Sequence, residues 1–131
     1  MSKRLVRDLD DLRLQLTDLQ MQIPVEEDLA VLARSVAVGN KRTPNALAVH
    51  PMEGADGERD GSPSELTFRR YKRFAAGGAG LLWTEAIAVV PEGRANPRQL
   101  YLHDANRDAF RQLVREAKKA AREACGHEPL L

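Results

Sequence analysis

The sequence predicts an α/β protein, because two short apolar runs flank a helix and turn residues bound all three. Residues 47–49 form an apolar run that is too short for a helix and is ended by Pro51. Residues 80–86 form a second run of the same kind. Two parallel strands joined by a helix form a right-handed crossover. This βαβ unit is the element around which the chain is organised.

The helix between the two runs has recognisable start and stop signals. Ser62 is expected to accept from the first turn, and Glu65 can reach back to the amide of this cap. The helix is predicted to end at Gly77 and Gly78, where a left-handed backbone costs little. At Gly80, the junction with the second strand is predicted to need either a positive φ or a close backbone approach.

The N-terminal residues 1–23 form a separate element. Their apolar residues follow the 4-3-4-3-4 spacing of a narrow seam, and charged residues fill most other faces: Leu5, Leu9, Leu12, Leu16, Leu19 and Ile23. This pattern predicts a helix with the a/d positions of a short coiled coil, ended by Pro24. Two interpretations stay open, a helix that dimerises or docks on another polypeptide and an amphipathic helix that lies against its own domain.

A short helix and a hairpin are predicted before the first strand. Acidic residues 26–28 suit the positive end of a helix dipole. Residues 36–38 followed by a turn at Gly39 are typical of a tight hairpin. We therefore divide the chain into an N-terminal helical extension, residues 1–35, and an α/β domain, residues 36–131.

A long connection, a last helix and the start of a strand complete the chain. Residues 87–102 contain two prolines and a glycine, and long loops after strands commonly carry function. The last helix is predicted to be capped by Asp104, ended by Gly126 and packed through a mostly alanine and leucine stripe. Residues 129–131 resemble the first residues of a further strand.

Composition and charge exclude several classes of protein. The chain has 20 basic and 19 acidic residues, net +1, so bulk charge indicates neither a nucleic-acid nor an anionic membrane partner. A single cysteine excludes an internal disulfide framework. No apolar run approaches the roughly 18 residues of a membrane span, and the charged N-terminus lacks a signal peptide's apolar core. A cytoplasmic location is the prediction.

Short motifs with a characteristic order lie along residues 36–131: Asn45, Pro51-Met52, Leu66-Thr67-Phe68-Arg69-Arg70-Tyr71, Gly77-Gly78-Ala79-Gly80-Leu81, Thr84-Glu85-Ala86 and Pro91-Glu92-Gly93-Arg94. In order and spacing this set resembles the old yellow enzyme family of FMN-dependent NADH:flavin oxidoreductases. The resemblance implies a TIM (β/α)8 barrel, of which this chain would supply the N-terminal part, about two βα units. A complete barrel needs about 250 residues, and this chain has 131.

The resemblance also implies an FMN site at the carboxyl ends of the strands. Pro51, Met52 and Glu53 after strand one match positions that line the isoalloxazine ring. Ala86 after strand two matches a small residue that lets the ring approach the backbone. Glu53 departs from the family pattern of Cys, Thr or Ala, and its carboxylate would oppose an anionic reduced flavin unless it were protonated or turned away. Catalytic residues stay unknown, since those of the family lie on later strands.

The implied reaction is hydride transfer from NAD(P)H to FMN, and then from flavin N5 to an activated C=C bond of a small-molecule substrate. The expectation is a chain that is inactive when alone and binds FMN weakly or not at all. One alternative is a non-catalytic remnant or interaction module that dimerises or docks through the helix from Leu5 to Ile23. Another is a split enzyme that a complementary barrel chain completes.

Other chemical signals are weaker. The Gly-rich run at residues 77–80 follows a helix instead of opening one, which excludes a dinucleotide-binding loop. The basic run at residues 69–73 is spread around a helix, with Tyr71 packed, so no nucleic-acid site is predicted. The three histidines are too scattered for a metal site, and His50 is expected to be packed and hydrogen-bonded. Glu85 stays open as a general base without an identified partner.

Overall fold

The computed structural model describes residues 5–131, in which helices alternate with very short strands. The α-helices are α1 (Leu9–Asp18), α2 (Glu65–Ala76) and α3 (Arg107–Cys125). The strands are β1 (Ala37–Val38), β2 (Lys41–Arg42), β3 (Ala48–Val49) and β4 (Leu81–Leu82), and single 3₁₀ turns span Ala30–Ala33, Pro91–Gly93 and Asp104–Asn106. The predicted α/β class is confirmed, and the strands of residues 5–131 do not close into a barrel.

The central sheet is parallel and grows in chain order. β3 and β4 pair in parallel with α2 as their connection, as the sequence predicts. Leu130 lies on the other side of β4, where its carbonyl accepts Leu82 N–H at 2.8 Å and its N–H donates to Gly80 O at 2.9 Å. The predicted start of a further strand is therefore confirmed. The second strand is shorter than predicted, because the ladder with β3 stops near Pro51 and only Leu81–Leu82 is fully paired.

The core lies between the sheet and a pair of helices. α2 and α3 cover one face of β4 and pack on each other through small and apolar side chains: Tyr71, Ala75, Ala79, Leu82, Leu113, Ala117 and Ala121. Ala75, Ala117 and Ala121 are fully buried, and their methyl groups let the two helices approach closely. The other face of the sheet is open, and Trp83 is 64% exposed there.

The helix α2 begins two residues later than predicted. Ser64, not Ser62, is the cap, since its Oγ accepts the N–H groups of Leu66 and Thr67 while Thr67 Oγ1 accepts Ser64 N–H. Ser62 instead bonds to Asp60. Ser62 and Ser64 are both residues that commonly cap helices, and the sequence pattern does not distinguish between them.

Glycines end both long helices as expected, whereas the start of α3 differs. Gly78 and Gly126 have φ values of +83° and +74°. Asp104 does not cap α3, because it opens a 3₁₀ turn and α3 begins only at Arg107. Asn106 closes that turn by accepting the N–H of His103 at 2.9 Å.

The predicted leader helix is shorter than its apolar pattern. α1 spans only Leu9–Asp18, so the seam positions Leu5, Leu19 and Ile23 lie outside it, and the backbone turns at Gln20 with φ +53°. No residue of α1 is buried. A ten-residue helix whose most covered residues, such as Leu12 and Leu16, are only half-buried is marginal, which accounts for its early end. The first four residues of the predicted leader lie outside the described residues.

Asn45 connects the hairpin to the sheet. The predicted hairpin is present as antiparallel β1 and β2 with φ +59° at Gly39. Asn45 Nδ2 donates to Gly78 O at 2.7 Å, and Asn45 Oδ1 accepts Gly80 N–H at 2.8 Å. An added Cβ on Gly80 would lie 2.7 Å from Asn45 O, so the predicted close approach, and not a positive φ, explains this glycine.

The acidic segment at residues 26–28 also precedes a helical turn. Asp28 Oδ1 accepts the N–H of Ala30 at 2.8 Å, at the start of the 3₁₀ turn Ala30–Ala33. Among the helices of residues 5–131, none combines the length and the apolar composition that crossing a bilayer requires.

Candidate functional site

The four residues that the sequence assigns to a ligand lie together at the carboxyl ends of β3 and β4. We call residues 51–54 and Ala86 the rim. Pro51, Met52, Glu53 and Ala86 are all exposed, with Met52 at 76%. Gln99 connects the two parts of the rim, because its Nε2 donates to Glu53 Oε1 at 3.3 Å and to Ala86 O at 3.2 Å.

The rim carries free backbone hydrogen-bond donors. Within residues 5–131, the N–H groups of Met52, Glu53 and Ala86 donate to no acceptor of the chain. The N–H of Gly54, by contrast, donates to Glu85 Oε2 at 3.0 Å. Free donors beside a small exposed side chain suit a flat ligand that carries acceptor atoms.

A half-buried ionic cluster holds the rim from behind. Arg70 bridges two carboxylates, donating to both oxygens of Asp56 at 2.9 Å and to Glu85 Oε1. Tyr71 accepts the backbone N–H of Glu85 at 2.9 Å and lies under the Arg70 guanidinium, 4.9 Å from ring centre to Cζ. The Glu85 side chain is 1% exposed. The cluster thereby joins α2, the end of β4 and the loop after β3.

Burial and pairing shift the pKa values of the cluster in different directions. Burial alone would raise the pKa of Asp56, but hydrogen bonds from Arg70 and Thr67 outweigh it and lower that pKa. Burial opposes the charged form of Arg70, yet hydrogen bonds to Asp56 and Glu85 raise its pKa. Burial raises the pKa of Tyr71. Both Asp56 and Arg70 are therefore held in their charged forms.

This arrangement answers the open question about Glu85. Its carboxylate is occupied by Arg70, Tyr71 and Gly54 and lies behind the rim, away from solvent. A base that must accept a substrate proton needs a path to the substrate. Glu85 is a structural anchor in this arrangement, and the sequence signal for it is an acid placed directly after an apolar strand.

Arg94 attaches the long connection to the loop before α2. It donates to the carbonyls of Gln99 at 3.1 Å, Arg59 at 2.8 Å and Pro97 at 2.5 Å. A further backbone bond runs from Gly57 N–H to Arg98 O at 3.0 Å. Through Gln99, this packing of two loops fixes the outer edge of the rim. Neither Gln99 nor Arg94 is predicted from the sequence as a positioning group.

The apolar cavity at the end of β4 does not compete with the rim for a ring-sized ligand. An apolar cavity of about 80 Å³ lies between α3, the end of β4 and the long connection, lined in part by Tyr71, Thr84 and Leu100. Ligand pockets for drug-sized molecules have about 300–1,000 Å³. The cavity is therefore too small for a flavin ring.

The remaining chemical candidates are separate from the rim or solvent-exposed. His50 is predicted to be packed but is exposed, because it follows the last paired residue of β3. Cys125 is exposed and lies within hydrogen-bond distance of Ala76 O, at 3.2 Å. The part of the chain that the structure describes contains no group of three metal-ligating side chains.

Two solved structures are similar to this fold. A crystal structure of TcOYE with pHBA has a TM-score of 0.61 at 23% identity, over 70% of this chain and 25% of that chain. A structure of the old yellow enzyme from Trypanosoma cruzi has a TM-score of 0.55 at 20% identity, over 72% of this chain and 24% of that chain. At these identities the likeness shows the fold alone.

The chain spans about a quarter of the length of the solved structures that it matches. No protein-family model and no curated protein matches the sequence.

Proposed function

We propose that this chain forms the N-terminal part of the TIM barrel of an old yellow enzyme-type FMN oxidoreductase, and that its rim contacts the flavin ring. The observation that carries the proposal is the set of free N–H groups on Met52, Glu53 and Ala86 at the strand ends. The fold that presents them is similar to solved old yellow enzyme structures. Ligands of α/β folds bind outside the carboxyl ends of the strands.

The rim residues suit a flavin ring chemically. The ring is flat and carries carbonyl oxygens and ring nitrogens that accept hydrogen bonds, which matches the free N–H donors. Ala86 leaves room for the ring edge, and the exposed Met52 offers a polarisable apolar surface. When bound, FMN would supply hydride transfer from NAD(P)H to an activated C=C bond, while these residues would bind and orient the ring.

A chain with only one part of such a site should bind FMN weakly. Most of the length of the matched structures has no counterpart here, and much of the affinity for a phosphorylated cofactor comes from a phosphate site formed late in such barrels. We expect a dissociation constant above about 1 μM, which corresponds to about 8 kcal/mol. A submicromolar constant would contradict this expectation.

The proposal is tested by titrating the ¹⁵N-labelled full chain with FMN in NMR spectra. The amide signals of Met52, Glu53 and Ala86 should shift together. Ala86→Leu should abolish these shifts, because its side chain occupies the space of the ring. Ala124→Leu, the same change at an exposed position of α3, is the matched control and should leave them intact. Absence of shifts at the rim at millimolar FMN would overturn the proposal.

A second candidate function is docking or dimerisation through α1. The observation in its favour is that no residue of α1 is buried, although the segment carries exposed Leu9 and Leu14. On this proposal, sedimentation velocity should show a dimer of the full chain that Leu12→Asp/Leu16→Asp converts to a monomer. A wild-type monomer at all accessible concentrations would remove self-association from consideration.

A further inference from the structure

Gln99 is buried, at 5% exposure, although it belongs to a surface loop. Its carboxamide has a defined orientation, because its Oε1 accepts the N–H of Ala95 at 2.5 Å. The NH₂ group must then face the two acceptors, Glu53 Oε1 and Ala86 O. A buried amide with its oxygen and its nitrogen both engaged is a rigid support for the groups that it contacts.

The Glu53 carboxylate is one of the two groups that Gln99 contacts at the rim. Glu53 is exposed and, among residues 5–131, Gln99 is the group within hydrogen-bond distance of its side chain. No lysine or arginine pairs with it in the described part of the chain. The negative charge therefore lies at the rim, linked to Ala86 O through Gln99, and the Arg70 guanidinium beside the adjacent Gly54 is already paired with Asp56 and Glu85.

We propose that Gln99 is a positioning residue that holds the negative charge of Glu53 at the rim, so that the rim prefers a neutral flat ring to an anionic one. This inference rests on the proposed function, since it assigns a charge preference to the same site. For the flavin it means preference for the oxidised, neutral ring over the anionic reduced ring. Two like charges about 6 Å apart in water change an affinity about threefold.

The ligand experiment compares oxidised FMN with FMN reduced by dithionite under anaerobic conditions, using the NMR titration of the full chain. Both forms carry the phosphate, so the ratio of their dissociation constants reports how strongly the rim distinguishes the oxidised ring from the reduced ring. Wild type should bind the oxidised form more tightly. Glu53→Gln should reduce the ratio about threefold, and Gln99→Leu should reduce it by a smaller factor, whereas the exposed control changes Glu123→Gln and Gln112→Leu should preserve it. An unchanged ratio in Glu53→Gln would overturn the charge preference.

A second experiment needs no ligand. The side-chain NH₂ signals of Gln99 should shift in Glu53→Gln and stay in place in Glu123→Gln. In Gln99→Leu, hydrogen exchange of the Ala95 amide should accelerate about tenfold, the equivalent of 1.4 kcal/mol for one lost hydrogen bond. Unmoved Gln99 signals would overturn the positioning role. If neither form of FMN bound to wild type, the proposed function and the charge preference would both fail, and the NH₂ signals would still decide the positioning role.

Discussion

The carboxylate of Glu85 accepts the backbone N–H of Gly54 at 3.0 Å and thereby fixes the carboxyl end of β3 beside that of β4. The same carboxylate pairs with Arg70, which also binds Asp56, two residues beyond Gly54. A loop and a strand end that share one cation behave as one unit. The position of the rim therefore depends on the ion pair of Glu85 and Arg70 behind it.

Removing the charge of Glu85 should destabilise the fold. Glu85→Gln leaves Arg70 with one carboxylate in a buried site, and we expect a loss of about 2 kcal/mol in the free energy of unfolding. Urea denaturation followed by circular dichroism measures it. Thr84→Val, at the neighbouring half-buried position, is the control and should change this free energy by under about 0.5 kcal/mol. Equal effects of the two changes would contradict the anchoring role.

Asp56 should give the protein a specific sensitivity to acid. Its pKa is lower in the folded chain than its ordinary value of about 3.9, so the folded state binds fewer protons than the unfolded state. The stabilisation is complete above about pH 4 and is lost as the pH falls through the lowered value. Between pH 5 and pH 2 the stability of Asp56→Asn should therefore fall less steeply than that of wild type. Parallel pH profiles for the two proteins would show that Asp56 contributes nothing to the pH dependence of the free energy of unfolding.

A side chain at Gly80 should not fit. In Gly80→Ala the added Cβ would lie 2.7 Å from Asn45 O and 2.9 Å from Asn45 Oδ1, which accept hydrogen bonds from Thr43 Oγ1 and Leu47 N–H. Forced repacking of this kind costs about 1–3 kcal/mol. Gly93→Ala is the control, since its added Cβ meets only Val90 Cγ2 at 3.4 Å. Thermal unfolding should separate the two variants, and a Gly80→Ala melting temperature equal to wild type would refute the close-approach argument.

Charges on α1 should leave the α/β unit folded. Because no residue of α1 is buried, Leu12→Asp/Leu16→Asp should change the free energy of unfolding of the βαβ unit by under about 0.5 kcal/mol. Ala117→Asp, in the fully buried part of α3, should by contrast abolish cooperative unfolding. Insolubility of the double variant would instead mean that α1 packs on the unit.

The parts of the fold that could be predicted depend on short-range signals. A short apolar run before Pro51, a helix stop at Gly78 and a helix end at Gly126 each act within a few residues, and the structure contains all three. The helix start does not follow from short-range signals, because Ser62 and Ser64 are chemically equivalent caps and only the contacts of Thr67 distinguish them.

The support of the candidate site could not be predicted, because it depends on contacts between distant segments. Arg70 and Glu85 are 15 positions apart, and Gln99 and Glu53 are 46 apart. Whether such side chains meet is set by how α2 rotates over β4 and how the loop after β4 folds back. The predicted leader helix is too long for a different reason. Its apolar spacing suits a helix up to Ile23, but α1 has no fully buried residue and ends at Asp18.

The order of the sheet has a consequence for synthesis on the ribosome. β4 pairs with β3, and Leu130 pairs with β4, so each new segment adds to the edge formed by the segment made just before it. Ala48 pairs with Leu81 and Leu81 pairs with Leu130, so each new pairing waits until the helix between its two partners has been synthesised. Folding of this unit can therefore proceed from the N-terminus while the chain is still being elongated.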